Sequence, residues 1–295
     1  MAFRSSRSLA YAKKSSSTAW LNRQARDPYI RLRASPDARA LIAATPYRSR
    51  SAFKLLEMDE KYKFLDHRDA QVVLDLGCAP GGWSQVVAQK LGWADRPRRM
   101  REASTPYPQV RDGGASWSAP TPSSSSSQEA EEVYDPLNIS DLSTSAKGRG
   151  LVIAVDLLRM TPIPGVQFLQ ADFLAPDTEA LIDSIVARTS SHAKADVILC
   201  DMASNSTGNA FHDIESSLAI CGSVFEFSKR YLRPADSIKR ELGGVLLIKH
   251  FVHPLLHIFR KEKLEPVFND VRFIKPNASR TESKEGYFLC RGWRG

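Results

Sequence analysis

One stretch, Asp75-Leu76-Gly77-Cys78-Ala79-Pro80-Gly81-Gly82-Trp83, combines an acid, three glycines, a proline and a tryptophan. Glycine lets a backbone take positive φ and approach a ligand closely. An acid beside such a turn can accept hydrogen bonds from a cofactor. The spacing is not G-x-G-x-x-G, which a nicotinamide dehydrogenase would need, and no lysine follows the glycines as in a P-loop. Gly77 alone would indicate only a tight strand-to-helix turn. Three more acids, Asp156, Asp172 and Asp201, each follow an apolar run. A single strand-end acid is ordinarily a turn or cap residue, but Asp75, Asp156 and Asp172 in succession point to a cofactor rim. Lys249 directly follows Val245-Leu246-Leu247-Ile248. A lysine and an acid (Asp201) at neighbouring strand ends form a candidate acid–base pair.

The elements that must position these residues follow from apolar patterning. Val72–Leu74 is a short apolar run of the kind that forms a buried parallel strand, and Trp83–Leu91 has helical periodicity. Further strands are predicted at 151–156, 166–172, 195–201, 243–251, 267–274 and 287–290. Helices are expected over 214–231 and 254–263. The segment from Tyr47 to Met58 carries a helical stripe (52, 53, 55, 56, 58), with Ser49 or Ser51 as its cap. Lys54 falls within that stripe, where a lysine ordinarily packs its stem and extends its head to water. Seven strands interleaved with helices make an α/β fold: a mostly parallel sheet with helices on both faces and the ligand at the strands' carboxyl ends.

Residues 95–148 interrupt the pattern with Ser/Pro/Gly-rich sequence, including the serine run 123–127. This is the composition of a disordered insertion. Removing it brings Asp156 back to about 20 residues beyond the glycine turn, the separation expected of a strand-end acid that meets a ribose. The insertion is therefore predicted as a surface loop within one domain spanning 47–295.

The chain of 295 residues is 42% hydrophobic, ample for a core, and carries a net charge of +8. Residues 1–54 hold twelve Lys/Arg against Asp27 and Asp37, a net +10 that leaves −2 for the remainder. A basic arm on a near-neutral body indicates a polyanionic partner. Trp20 and Tyr29 interleave with the cations of 15–46, a pattern that can grip phosphate and stack bases, although Trp20 and Leu21 could equally anchor a helix on the body. Residues 1–14 are Arg/Ser-rich and acid-free, the composition of a mitochondrial presequence and also that of a disordered RNA-binding tail. The four cysteines are scattered with no Cys-x-x-Cys, as expected in a reducing compartment. His250, His253 and His257 lack metal-site spacing, so no metal is expected. No apolar run approaches the length of a membrane span.

The Asp75–Trp83 stretch, ending in Pro80-Gly81-Gly82-Trp83, closely resembles the S-adenosylmethionine motif of FtsJ/RrmJ-type RNA 2′-O-ribose methyltransferases. The resemblance extends over Arg48-Ser49-Arg50-Ser51-Ala52-Phe53-Lys54-Leu55, over Asp201-Met202-Ala203, and over Lys275-Pro276 to Ser279-Arg280. It covers residues 15–94 and 149–293. It implies a Rossmann-like methyltransferase fold with S-adenosyl-L-methionine as cofactor. It implies cofactor contacts from Asp75, Gly77, Pro80, Gly81, Gly82, Trp83, Asp156 (ribose side), Asp172 (adenine side) and Asp201. It makes Lys54, Asp201, Lys249 and Glu285 catalytic, with Glu282 a near decoy and no chemistry for Asn205, Thr207 or Gly208. The arm around Trp20-Leu21 resembles that of the ribosomal RNA members. Together with the presequence-like start, this implies a mitochondrial large-subunit ribosomal RNA, modified at a uridine, either naked or in an assembling particle. No DNA partner is expected.

A ribose 2′-hydroxyl is a weak nucleophile and needs a base to take its proton. A lysine serves only if its pKa falls towards neutrality, which burial and a second cation favour and nearby carboxylates oppose. Lys249→Ala and Asp201→Ala are expected to be severe, and Glu285→Ala less so. Competing readings are a transfer-RNA or messenger-cap ribose methyltransferase, with a nuclear or cytoplasmic location, and an RNA-binding ribosome-assembly factor without catalysis.

Overall fold

The computed structural model describes residues 27, 47–93, 148–203, 209–280 and 283–295. The expected presequence, nearly all of the arm and most of the insertion lie outside these residues. So do Asn205, Thr207, Gly208 and Glu282.

Seven strands form one sheet in the order β3-β2-β1-β4-β5-β7-β6. They are β1 (Val72–Leu76), β2 (Leu151–Asp156), β3 (Val166–Gln170), β4 (Val197–Cys200), β5 (Val245–Phe251), β6 (Phe268–Ile274) and β7 (Glu285–Trp293). β1 to β5 pair in parallel, and β7 runs antiparallel between β5 and β6. The sequence thus specifies the mostly parallel sheet, and its strand order reverses between β1 and β4. That reversal is where open α/β sheets form a ligand crevice.

Helices cover both faces. On one face lie α1 (Ser51–Tyr62) and α2 (Gly82–Lys90), whose Phe53, Leu55, Val86 and Val87 pack with Val73, Leu199 and Leu247. On the other lie α3 (Pro176–Thr189), α4 (Ala210–Tyr231) and α6 (Pro254–Phe259), which bury Ile182, Val224 and Phe259 against Leu74, Ile198 and Leu246. A short α5 (Ala235–Ile238) precedes β5. Alternate residues of each strand enter opposite cores, as the period of two requires.

The sequence reading passed over α3, whose apolar stripe is short; Pro176 starts it, where proline's missing N–H costs nothing. The helix expected over 254–263 ends as α6 at Phe259 and continues as a π-helical turn over Arg260–Leu264. Neither Ser49 nor Ser51 caps α1. Arg50 holds the N-cap position without a side-chain cap, because the two serine hydroxyls bond each other at 2.7 Å.

Candidate active site

The sheet register brings the chemistry together. Leu76 of β1 pairs with Cys200 of β4, and Cys200 with Ile248 of β5. One residue further along each strand come Gly77, Asp201 and Lys249. Lys249 also stands opposite Tyr287 of β7, and Glu285 lies diagonally from it on the same face. These residues extend the face that carries Asp75, Leu199, Leu247 and Leu289. Helix α1 packs on that face and delivers Lys54.

The result is a continuous polar chain. Lys54 Nζ lies 2.7 Å from Glu285 Oε1, and Glu285 Oε2 lies 3.9 Å from Lys249 Nζ. Lys249 Nζ lies 3.3 Å from Asp201 Oδ1 and donates to the Asp201 carbonyl at 3.3 Å. Side-chain exposures run from 10% for Lys54 to 16% for Asp201. That is low enough to strengthen electrostatics and still leaves all four accessible. Burial alone would raise the Glu285 carboxyl, but the Lys54 and Lys249 charges outweigh it and hold the group below its ordinary range.

Tyr287 completes the cluster and was missed in the sequence. Fully buried, it donates its hydroxyl to Asp201 Oδ1 at 2.7 Å. Burial, with the Asp201 and Glu285 carboxylates, pushes its pKa well up, so it remains a donor. The available signal was its position two residues after Glu285, which puts both on one face of a strand.

The glycine turn lies beside this chain. Asp75 is 1% exposed; its Oδ2 accepts from Ser84 Oγ at 2.5 Å, while Oδ1 is buried with no hydrogen-bond partner among the described residues. Burial pushes its carboxyl up to about 7, with Asp201 and Asp156 adding to the rise. Gly77 (φ +71°) and Gly81 (φ +100°) adopt backbone that favours glycine. The space left by their missing side chains is taken by Met202 at Gly77, and by Met160, Ile163 and Arg48 at Gly81. Pro80 occupies the turn between them. Gly82 starts α2 and lets Ser49 approach closely.

Other expected contacts take more specific forms. Trp83 is buried, donates its indole N–H to the Ser51 carbonyl at 2.9 Å and lies against Tyr287, with ring centroids 5.8 Å apart. From there it joins α1 to β7 rather than lining an open rim. Asp156 accepts the Ala79 N–H and the Leu158 N–H, each at 2.8 Å, and so holds the turn. A carboxylate oxygen retains a second lone pair, so Asp156 can also meet a ligand. Asp172 is exposed, two residues past β3, and accepts the Leu174 N–H at 3.0 Å.

The turn's own N–H groups decide which ligands suit it. Gly77 donates to Val155 O at 2.8 Å, Gly81 to Cys78 O at 2.7 Å, and Ala79 to Asp156. These three N–H groups are therefore not free to cradle a phosphate. A ring of acids with an unsatisfied buried carboxylate oxygen fits instead a phosphate-free nucleoside that carries positive charge. S-adenosylmethionine is such a molecule. No helix among the described residues is long and apolar enough to cross a membrane, and no group of three or more His, Cys, Asp or Glu among them could hold a metal.

A profile of the FtsJ-like methyltransferase family matches residues 47–101 and 138–293. The chain belongs to that family. It is an S-adenosylmethionine-dependent methyltransferase with the fold read from its strands. It is 33% identical to a protein named ribosomal RNA large subunit methyltransferase E from Afipia carboxidovorans, over 96% of this chain and 92% of that one. A protein of the same name from Rhodopseudomonas palustris is 34% identical, over 96% of this chain and 87% of the relative. Among solved structures, a protein assigned as a ribosomal RNA methyltransferase from Plasmodium falciparum superposes with a TM-score of 0.55. That match has 22% identity and covers 84% of this chain and all of that one.

Proposed function

We infer that the protein methylates a ribose 2′-hydroxyl, at a uridine, in large-subunit ribosomal RNA of mitochondria. One observation carries the chemistry: Lys54, Glu285, Lys249 and Asp201 form an unbroken chain of charge contacts on the rim that also holds Asp75. When bound, S-adenosylmethionine supplies an electrophilic methyl group on sulfonium sulfur. Lys249 Nζ, in its neutral form, would take the hydroxyl proton as the methyl group passes from sulfur to oxygen. Asp201 and Glu285 flank the ammonium so formed. Tyr287 holds Asp201 in place from behind, and Lys54 holds Glu285. Asp75, Asp156, Asp172 and the turn from Gly77 to Gly82 hold the cofactor, with Trp83 fixing the turn against α1.

RNA as substrate is supported by the names of the relatives and by the basic arm. A 2′-hydroxyl is also the group that distinguishes RNA from DNA. Mitochondrial placement rests on residues 1–14. The test supplies purified protein and labelled methyl donor with large-subunit ribosomal RNA, transfer RNA and capped messenger RNA at several salt concentrations. Ribosomal RNA is expected to accept the label on a ribose oxygen, with affinity falling steeply as salt rises. Label on transfer RNA, on a cap or on a base would replace this reading. Mapping ribose methylation in organelle and cytosolic RNA from cells lacking the protein tests the location.

A further inference from the structure

Asp27 is one of two acids in a strongly basic arm, yet it is only 6% exposed. Its carboxylate forms an ion pair with the Arg50 guanidinium, and Arg280 Nε lies 3.8 Å from the same oxygen. Arg50 also donates to the Ala278 carbonyl, from Nε at 3.0 Å and from Nη2 at 2.6 Å. Glu57 of α1 accepts the Ala278 N–H at 3.1 Å. Residues of the α1 segment therefore hold Ala278 by both its N–H and its carbonyl.

The two segments so joined carry the two ends of one ion pair. Arg50 precedes α1, and Lys54 is in the first turn of that helix. Ala278 and Arg280 lie in the connection that ends at Glu285, the first residue of β7. Lys54 and Glu285 meet at 2.7 Å. Asp27 offsets two guanidinium charges at the junction that would otherwise repel. Asp27 is buried, so removing its charge leaves the two guanidinium groups uncompensated and costs more than losing a surface pair.

We propose that Asp27 is a positioning residue: it draws Arg50 and Arg280 together and so sets how Lys54 and Glu285 face each other. Contact between the arm and the body is then part of catalytic alignment, besides any role of the arm in holding RNA. The kinetic readout rests on the methyltransfer reading above.

The experiment uses the full chain with Asp27→Asn, which removes the charge at constant shape, and Asp27→Glu, which keeps it. Asp27→Asn is expected to lower kcat by about tenfold or more, since a misplacement near 1 Å can cost ~10²-fold. KM for RNA should stay within about twofold, and Asp27→Glu should recover most of the rate. Hydrogen exchange should quicken over 47–58 and 275–285 and stay unchanged in α4. A normal kcat with a raised KM for RNA would overturn the proposal and leave the arm a binding tail only. Unchanged exchange at both segments, or faster exchange throughout the molecule, would also overturn it. If the unaltered protein methylates no RNA, the proposed function fails, while the exchange pattern still decides whether Asp27 joins the two segments. Should Asp27→Asn not fold, Arg280→Gln is read the same way, with a smaller expected loss.

Discussion

The β1–α2 turn and the β5–β7 edge share one rim, and each buries a carboxyl, but the two carboxyls shift in opposite directions. Asp75 is raised to about 7 by burial, and the neighbouring Asp201 and Asp156 raise it further. Glu285 is also raised by burial, but Lys54 and Lys249 bring it below its ordinary range. The difference lies in the cations supplied. At the β5–β7 edge the protein furnishes both signs of charge and the cluster is complete in itself. Around Asp75 the neighbouring charges are acids, and Oδ1 has no hydrogen-bond partner among the described residues. In the proposed function the Asp75 side receives positive charge from a ligand and the other handles a proton.

The sharpest way to break the comparison is to disable each side and ask which step fails. Lys249→Ala should lower the single-turnover methyl-transfer rate by ~10²–10⁴-fold, with cofactor affinity by calorimetry nearly unchanged. A loss that appeared in cofactor binding instead would erase the division. Gly77→Ala should do the reverse. Its φ of +71° and the crowding by Met202 put the strain at the turn. Stability should drop by more than about 1 kcal/mol, cofactor affinity should weaken, and the transfer rate at saturating cofactor should change least.

Two milder changes sharpen the contrast. Tyr287→Phe removes one hydrogen bond to Asp201 and should lower the rate a few-fold, on the scale of about 1 kcal/mol. The effect should vanish in an Asp201→Ala background, measured as a double-mutant cycle. Proton linkage gives the smallest signal. Because the folded pKa of Asp75 is raised, its protonated form favours the fold at low pH. That contribution is full below about pH 4 and is lost as pH rises to about 7. Glu285 has the opposite sign and contributes above its ordinary pKa. Thermal unfolding across pH 4–8 should therefore show a falling component that Asp75→Asn flattens and Glu285→Gln leaves in place.

How much was legible in the sequence follows the same division. The turn is one contiguous stretch, so its acid, glycines and proline declare themselves by spacing. Asp201 and Lys249 were legible because each ends an apolar run, and parallel strands in register bring their ends together. Tyr287 was not legible: its partner Asp201 is 86 positions away in the chain, and only the β4–β5 and β5–β7 registers together bring the two near. Trp83 looked like part of a cofactor loop, yet its indole N–H found the Ser51 carbonyl of a helix that packs on it. Asp27 was visible only as one of two acids in a basic arm, and nothing in the sequence placed it against Arg50.

Local patterning thus determined the strands, the turn and the acid at each strand end, because apolar runs, glycine and proline act on their own backbone. The tertiary structure alone decided which acid meets a lysine and which is left waiting for a ligand. That choice depends on strand register and on where α1 packs, and both are set by burial across the whole sheet.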